Sequence, residues 1–428
     1  MFMQLRQLII RILFLTFLVV INISCHKAEV TSSYTGNLKF YGGPLDDVPT
    51  AAIATSDGGF AITGYTNRNL NNDMFLMKLD HNGNQQWFKT YGGPKDDKGN
   101  ALVQTADGGY LVTGSTNSFG KAIFNNSSFL DVYAVRTNPN GDTIWTRAYG
   151  YNTPGYASEF DDYANAVCND ASGNHYIGGY TFNIAIHDTA YPGALVVKIK
   201  DNGKAIWMKA YDPVYPINNN SIQGFTIFLT DMMVDKDGNL VTGTFSDSFI
   251  INKIRPDGSI IWKSRMINAV SKFIAYGYVN HLVQKADGSY SFLATNTDEG
   301  PAPIYIAWGN VSNDGNMITR LPIATYTANN PLTCGTLSPN GDFVVASSLL
   351  GRLGNNGSLG GSGGPGGFFL YETNISGNTK LLNTLGGWPV SIISDNHGNY
   401  FIVGYSSKSG SSRTGIFTEW VKSDGTLK

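Results

Sequence analysis

Residues 41–67, YGGPLDDVPTAAIATSDGGFAITGYTN, and residues 91–117, YGGPKDDKGNALVQTADGGYLVTGSTN, are two copies of one unit. They start fifty residues apart, align without gaps and agree at more than half of their positions. Within the unit, Asp57-Gly58-Gly59 and then Asn82-Gly83 each separate two apolar runs. Such pairs favour hairpins, because a type I′ turn needs positive φ at both central residues. The second copy shows all four runs: ALVQT, YLVTGST, DVYAVRT and TIWTRAY. Four strands joined up and down make one propeller blade.

The double turn recurs to the end of the chain. The first turn returns at Asp107-Gly108, Ser172-Gly173, Asp237-Gly238, Asp287-Gly288, Asn340-Gly341 and His397-Gly398. The second returns at Asn140-Gly141, Asn202-Gly203, Asp257-Gly258, Asp314-Gly315, Ser376-Gly377 and Asp424-Gly425. Successive first turns lie 50 to 65 residues apart, a period that belongs to arrays and propeller blades. No stretch beyond the first residues holds a helical period. The expected fold is therefore all-β, a seven-bladed β-propeller with four antiparallel strands per blade.

The ends suggest how the ring closes. The last unit stops three residues after Asp424-Gly425, so its outer strand is nearly missing. Tyr34 to Tyr41 (YTGNLKFY) reads as an outer strand without a blade of its own. Pairing it with the third strand of the last blade removes an open edge. The tight turns then share one face of the disc. The second-to-third and blade-to-blade connections share the other, and the long ones lie there: 117–130, 151–160, 182–193, 212–224 and 347–367. Insertions gathered on one face mark the expected binding surface.

Formal net charge is −2 with a pI near 6.3. No basic run appears, which excludes a nucleic-acid surface, and the chain is expected to be a monomer. Cys168 and Cys334 fall on innermost strands across the ring, too far apart for a disulfide, so both are expected as free buried thiols.

The first 25 residues, MFMQLRQLIIRILFLTFLVVINISC, carry Arg6 and Arg11, an apolar run, Ser24 and then Cys25. They resemble a bacterial lipoprotein signal, in which the Cys becomes the lipidated first residue. One departure is Asn22, three before the Cys, where an aliphatic residue is usual. The other reading of the segment is an uncleaved membrane anchor. The resemblance implies a signal peptide over 1–24, a lipidated tether over 25–34 and a propeller over 35–428. It places the chain in the cell envelope, tethered by Cys25 to what is expected to be the outer membrane of a Gram-negative bacterium.

Four outer strands set a Trp four residues after the turn glycine: Trp87, Trp145, Trp207 and Trp262. This resembles the Trp-bearing repeat of quinoprotein-type propellers and implies inter-blade wedges. Here Asn or Asp precedes the Gly where that family has Thr, and no quinone site is discernible. The whole unit is also similar to repeats of secreted and surface-anchored bacterial propellers of unassigned activity. Lipid-anchored propellers with the Trp repeat serve as assembly scaffolds, so the resemblance implies a non-catalytic module that binds an envelope protein or a glycan.

Acidic pairs precede three innermost strands: Asp46-Asp47, Asp96-Asp97 and Asp161-Asp162. At the mouth of the channel they could bind a cation such as Ca²⁺, which takes six to eight oxygens. They could equally cap the backbone of their own turns, repeating because the blade repeats. No cofactor is otherwise expected. Glycan contact is expected of Tyr151, Tyr156, Phe160, Tyr191, Tyr215 and Trp388 on the loop-rich face. The alternative to a binding module is a glycan-active hydrolase or lyase using carboxylates at the channel mouth. The six His residues are scattered and give no metal spacing. The Gly-rich stretch 350–367 reads as a flexible loop, lid or slack.

Overall fold

Alternating apolar and small residues between Gly turns give strands with two buried faces, and blades stacked around an axis bury both. A computed structural model describes residues 38–428 except 44, 68–70, 121–128, 152–159, 187–188, 212–227, 246–248, 267–274, 299–303, 327–332, 339–340, 348–351, 354–356, 359–366, 374–378, 396 and 408–413. The signal, the tether and Cys25 lie outside the described residues. Seven antiparallel sheets follow one another, and no helix occurs among the described residues. The fold is a seven-bladed β-propeller.

Counted outward from the axis, blade 1 is Asp47–Ala54, Phe60–Thr66, Asp73–Leu79 and Gln85–Tyr91. Blade 2 is Asp97–Gln104, Tyr110–Thr116, Asp131–Thr137 and Thr143–Tyr149. Blade 3 is Asp162–Asn169, Asn174–Ile186, Thr189–Lys200 and Ala205–Tyr211. Blade 4 is Phe228–Val234, Leu240–Phe245, Phe249–Ile254 and Ile260–Met266. Blade 5 is Ala275–Gln284, Tyr290–Asp298, Ile304–Val311 and Met317–Tyr326. Blade 6 is Thr333–Leu337, Phe343–Ser347, Gly367–Thr373 and Thr379–Gly386. Blade 7 is Trp388–Ser394, Tyr400–Ser407 and Thr414–Val421, completed by Lys39–Tyr41. That last strand pairs antiparallel with the third, Lys39 opposite Thr418 and Tyr41 opposite Ile416, so the N-terminal strand closes the ring as expected.

The core lies between blades. Phe60, Ile62, Phe75 and Met77 of blade 1 meet Phe401, Val403 and Ile416 of blade 7, and equivalent layers recur around the ring. A bulge interrupts most innermost strands, at Thr50, Asn100, Asn165 and Thr230 among others. The bulged side chain donates to the next innermost strand: Thr50 to Gly99 O at 2.8 Å, Asn100 to Ala164 O at 2.8 Å, Asn165 to Leu229 O at 3.0 Å, Thr230 to Val279 O at 2.8 Å. Bulges leave a residue unpaired in its own ladder, and here that residue ties one blade to the next.

Two expected loops differ. Residues 182–186 and 189–193 extend the hairpin, with pairing continued past a register shift to Ile186 opposite Thr189. Its β-rich TFNIAI and TAYPGA keep the strand going where a length argument expected a loop. Within the Gly-rich stretch, Arg352–Leu353 pairs with Thr325 and Ala324 of blade 5 and with Gly357–Ser358. That part covers the outer edge of blade 5 instead of hanging as slack.

Candidate functional site

The acidic pairs sit where one blade meets the next. The first Asp of each pair accepts the backbone N–H at the start of the previous blade's third strand: Asp46 from Thr414 at 2.7 Å, Asp96 from Asn72 at 2.8 Å, Asp161 from Leu130 at 2.8 Å. Its own carbonyl accepts from the second strand of its own blade, just past the end at Asn67 and Asn117 and within the strand at Phe182. The second Asp is buried and folds back onto the preceding connection. Asp47 accepts from Gly43 N at 2.8 Å, Asp97 from Gly93 N at 2.7 Å and Asp162 from Tyr151 N at 2.7 Å. These are latching and capping contacts.

The same geometry accounts for the YGG motif. A Cβ on Gly92 would stand 2.6 Å from Asp73 Oδ1 and 2.8 Å from Asp97 Oδ2, so only glycine passes between the carboxylates. Asp73 opens the third strand of blade 1, and Asp131 holds that place in blade 2. Burial raises the Asp97 carboxyl; the Thr116 and Ser118 hydroxyls and Gly93 N–H oppose it, and Asp73 adds to it. Asp162 is pushed well above the usual range by burial, against Thr181 and Tyr151 N–H, with Asp131 and Asp161 adding to the rise. Among the described residues no three His, Cys, Asp or Glu side chains gather as a metal centre.

Three of the expected glycan contacts can be placed. Tyr151 packs against the core between blades 2 and 3. The Phe160 ring lies 6.3 Å from that of Phe129, and Trp388 stacks on Tyr405 at 5.3 Å. Tyr156, Tyr215 and the side chain of Tyr191 lie outside the described residues. Both thiols are free, Cys334 buried and Cys168 partly so, and burial raises each well above its ordinary value.

On the tight-turn side the outer strands of blades 1 to 4 and the N-terminal strand grip the next blade. Trp145, Trp207 and Trp262 donate Nε1–H to Asp201 O (2.8 Å), Pro256 O (2.9 Å) and Asn313 O (2.9 Å). A Cβ on Gly141, whose φ is +78°, would come within 2.8 Å of the Trp87 ring. Four residues on, a Tyr hydroxyl reaches the carbonyl of the turn glycine: Tyr91 to Gly141 at 2.7 Å, Tyr149 to Gly203 at 2.7 Å, Tyr211 to Gly258 at 3.0 Å, and Tyr41 to Gly83. Between them Lys89 reaches Asp142, and Lys209 reaches Asp257 O at 2.7 Å. The wedge role expected of the tryptophans is thus one part of a Trp-x-Lys/Arg-x-Tyr clamp. Its signal was in QQWFKTY, TIWTRAY and AIWMKAY.

Sequence reasoning also missed a row of buried cations, each five residues before a turn glycine: Lys78, Arg136, Lys198 and Lys253. Lys78 pairs with Asp57 at 2.8 Å, Arg136 with Asp107 and Asp201 at 2.9 Å, and Lys198 with Asp170 at 3.4 Å. Lys253 pairs with Asp235 at 2.9 Å and donates to Asn313 Oδ1 at 2.7 Å. Burial works to raise Asp57 and Asp107, yet Lys78 and Arg136, with local hydrogen bonds, hold both at about 2. Near the axis, Asp231 and His281 follow the bulges of blades 4 and 5. Burial lifts Asp231 to about 7 although Met232 and Leu282 N–H both donate to it, and lowers His281 to about 4.

No protein-family model matches the chain, and no curated protein sequence matches it. Solved propellers resemble it in shape. The WD40 domain of Pan2 from Neurospora crassa covers 87% of this chain and 88% of its own, at 10% identity and a TM-score of 0.49. The periplasmic gluconolactonase PpgL of Pseudomonas aeruginosa covers 86% and 97%, at 11% identity and a TM-score of 0.48. A protein of unknown function from Bacteroides caccae covers 74% and 91%, at 11% identity and a TM-score of 0.37.

Proposed function

We propose that this chain is an exported, membrane-tethered binding or scaffolding module whose loop-rich face takes an envelope protein or a glycan. The observation that carries this reading is the division of labour between the two faces. On one side the hairpins are uniform, with four or five residues between strands, and the neighbouring blade clamps the turn glycines Gly83, Gly141, Gly203 and Gly258. The connections on the other side differ from blade to blade, from the hairpin that extends to Ile186 and Thr189 to the long stretch between Ser347 and Gly367. Rigid scaffolds that present variable loops are built for recognition. The carboxylates first in line for catalysis are engaged with backbone N–H groups at 2.7–2.8 Å, which favours a binding role over a hydrolytic one.

The glycan-active alternative keeps one feature in its favour. Asp231, held near neutrality beside the axis, has the proton affinity that a general acid needs.

The test is a cross-linked capture of the lipidated protein from its own membranes, beside a Cys25→Ser control. One envelope protein should be enriched, and it should be lost when 117–130, 182–193 and 212–224 are shortened. Asp96→Asn and Asp161→Asn should weaken folding by about 1.5 kcal/mol each, the worth of a hydrogen bond to a charged group at the low end, without changing the captured protein. Glycan cleavage abolished by Asp231→Asn in a folded protein would overturn the reading in favour of an enzyme.

A further inference from the structure

Both ends of the propeller meet on one strand edge. The third strand of blade 7, Thr414–Val421, carries Lys39–Tyr41 opposite Thr418 to Ile416. Further along the same edge Leu427 bridges to Val421, and Lys428 N–H donates to Trp420 O at 3.0 Å. The outer strands of blades 1 to 6 are single pieces of seven to ten residues. In blade 7 that place is shared by three residues from one end and one bridge from the other.

Glu419 stands at the junction of the two pieces. Extending the register by one residue sets Leu38 opposite it on the outer side, and Ile402 lies opposite on the inner side. Its side chain shares a strand face with Phe417 and Val421, in the cluster between blades 6 and 7 against which Leu38, Leu382 and Leu427 also pack. The residue is 1% exposed, and neither carboxylate oxygen has a hydrogen-bond partner among the described residues. A carboxyl enclosed this way keeps its proton, because no donor offsets the loss of water.

The charged and titratable groups nearby do not change this. Blade 6 brings Cys334, Asp342, Glu372 and Lys380, and blade 7 brings Tyr400 and Asp395. Asp342, Glu372 and Asp395 act on the Tyr400 hydroxyl. Lys39 and Lys428 turn to the other face of the strand, toward Asn82 O and the Trp420 ring. On Glu419 burial acts alone, and it raises the carboxyl from 4.5 to about 7.

We propose that Glu419 is a proton-operated clasp: while it holds its proton both ends stay docked on blade 7, and once it ionises the closing strand lets go before the rest of the ring does. An ionised carboxylate draws in water through the wall that gives way most easily. The wall toward blade 6 is built from all four strands of that blade and three of blade 7. The wall toward the closing strand rests on three ladder positions and Leu38. Segments with so few contacts open locally while the core stays folded. The closed clasp holds the proton more tightly than the open one, so its support is complete below pH 4.5 and is lost as pH rises through about 7. Between about pH 6 and pH 8 the opening equilibrium should therefore rise about tenfold. The clasp works whatever the loop-rich face binds.

The test is hydrogen exchange of the whole protein read by mass spectrometry, corrected for the base catalysis of exchange itself. Peptides covering Lys39–Tyr41 should lose protection about tenfold over that range, while Phe60–Thr66 and Tyr110–Thr116 keep theirs. Glu419→Gln, which cannot ionise, should make protection of the closing strand independent of pH. Glu419→Met, apolar and of similar length, should give the same flat profile and covers the case in which the buried amide disturbs packing. Protection of the closing strand that does not fall in the wild type, or falls equally in both variants, overturns the proposal. So does a loss shared by every blade, which is unfolding of the ring and not release of a clasp.

Discussion

Blades 1 to 4 and blades 5 to 7 solve the same packing problem differently. In the first group each outer strand carries the clamp Trp, and each third strand carries one buried Lys or Arg paired to an Asp. In the second group the outer-strand Trp is replaced by Thr319 and Leu381, and the third strands supply Trp308 and Trp420. Trp308 meets Phe343 of blade 6 edge-on at 6.2 Å. The cation's place is taken by Asn310, Glu372 and Trp420. A seam therefore needs an indole against the next blade more than it needs that indole to come from a fixed strand. The second group has no Lys or Arg at that place, and it adds a liability: Glu419, 1% exposed, with no described residue donating to either oxygen.

The sharpest way to break the regular group is at Lys253, where the network is most enclosed. Its partner Asp235 has no exposed side-chain surface, and Tyr290 also donates to that carboxylate at 2.8 Å. Lys253→Met should lower unfolding stability by about 3–5 kcal/mol, because a buried carboxylate is left without its cation. Adding Asp235→Asn should recover part of that loss. A urea titration of the wild type and both variants measures it; a single variant within about 0.5 kcal/mol of wild type would mean the cations are ornaments of the repeat.

The irregular group should respond with the opposite sign. Glu419 shares the core face of its strand with Phe417 and Val421, between blades 6 and 7. Burial raises it from 4.5 to about 7. The folded state thus holds this proton more tightly than the unfolded state does. Its contribution is fully present below pH 4.5 and is lost as pH rises through about 7, a difference of roughly 3 kcal/mol. Glu419→Gln should flatten that slope and stabilise the protein above pH 7, as read from melting temperature against pH. In the regular blades the sign reverses: Asp57 and Asp107, held at about 2, contribute above pH 3.8 and lose that contribution as pH falls toward 2.

The architecture was legible because it rests on turns. Gly58, Gly83, Gly108 and Gly141 all take positive φ, the backbone feature that Asn-Gly and Asp-Gly announce. Blade number follows from that spacing and closure by Lys39–Tyr41 from the unpaired strand ahead of the first turn, whereas the tryptophan wedges are what the resemblance to quinoprotein-type repeats implied. The cation row was equally present in the sequence, five residues before each of four turn glycines, but a charge inside an apolar strand is recognised as a lock only when its acid is known to fold back beside it. The hairpin to Ile186 departs from expectation because the twelve-residue stretch 182–193 reads as a loop by its length, although its composition favours strand.

The smallest expected effect tests whether the clamp works residue by residue. Tyr149 is buried and donates to Gly203 O at 2.7 Å, in a seam where Trp145 also holds Asp201 O. Tyr149→Phe removes one hydroxyl and leaves the ring. The loss should be about 0.5–1.5 kcal/mol, the usual worth of one hydrogen bond, with the carbonyl of an exposed turn able to recover water. Tyr41→Phe removes the matching bond to Gly83 at the closing seam, where the hydroxyl also lies 3.1 Å from Thr418 Oγ1. If both substitutions cost the same, the clamp is a sum of local contacts and closure adds nothing to it. If Tyr41→Phe costs distinctly more, the closing seam governs the cooperativity of the ring, since opening it there exposes the edges of blades 7 and 1 together.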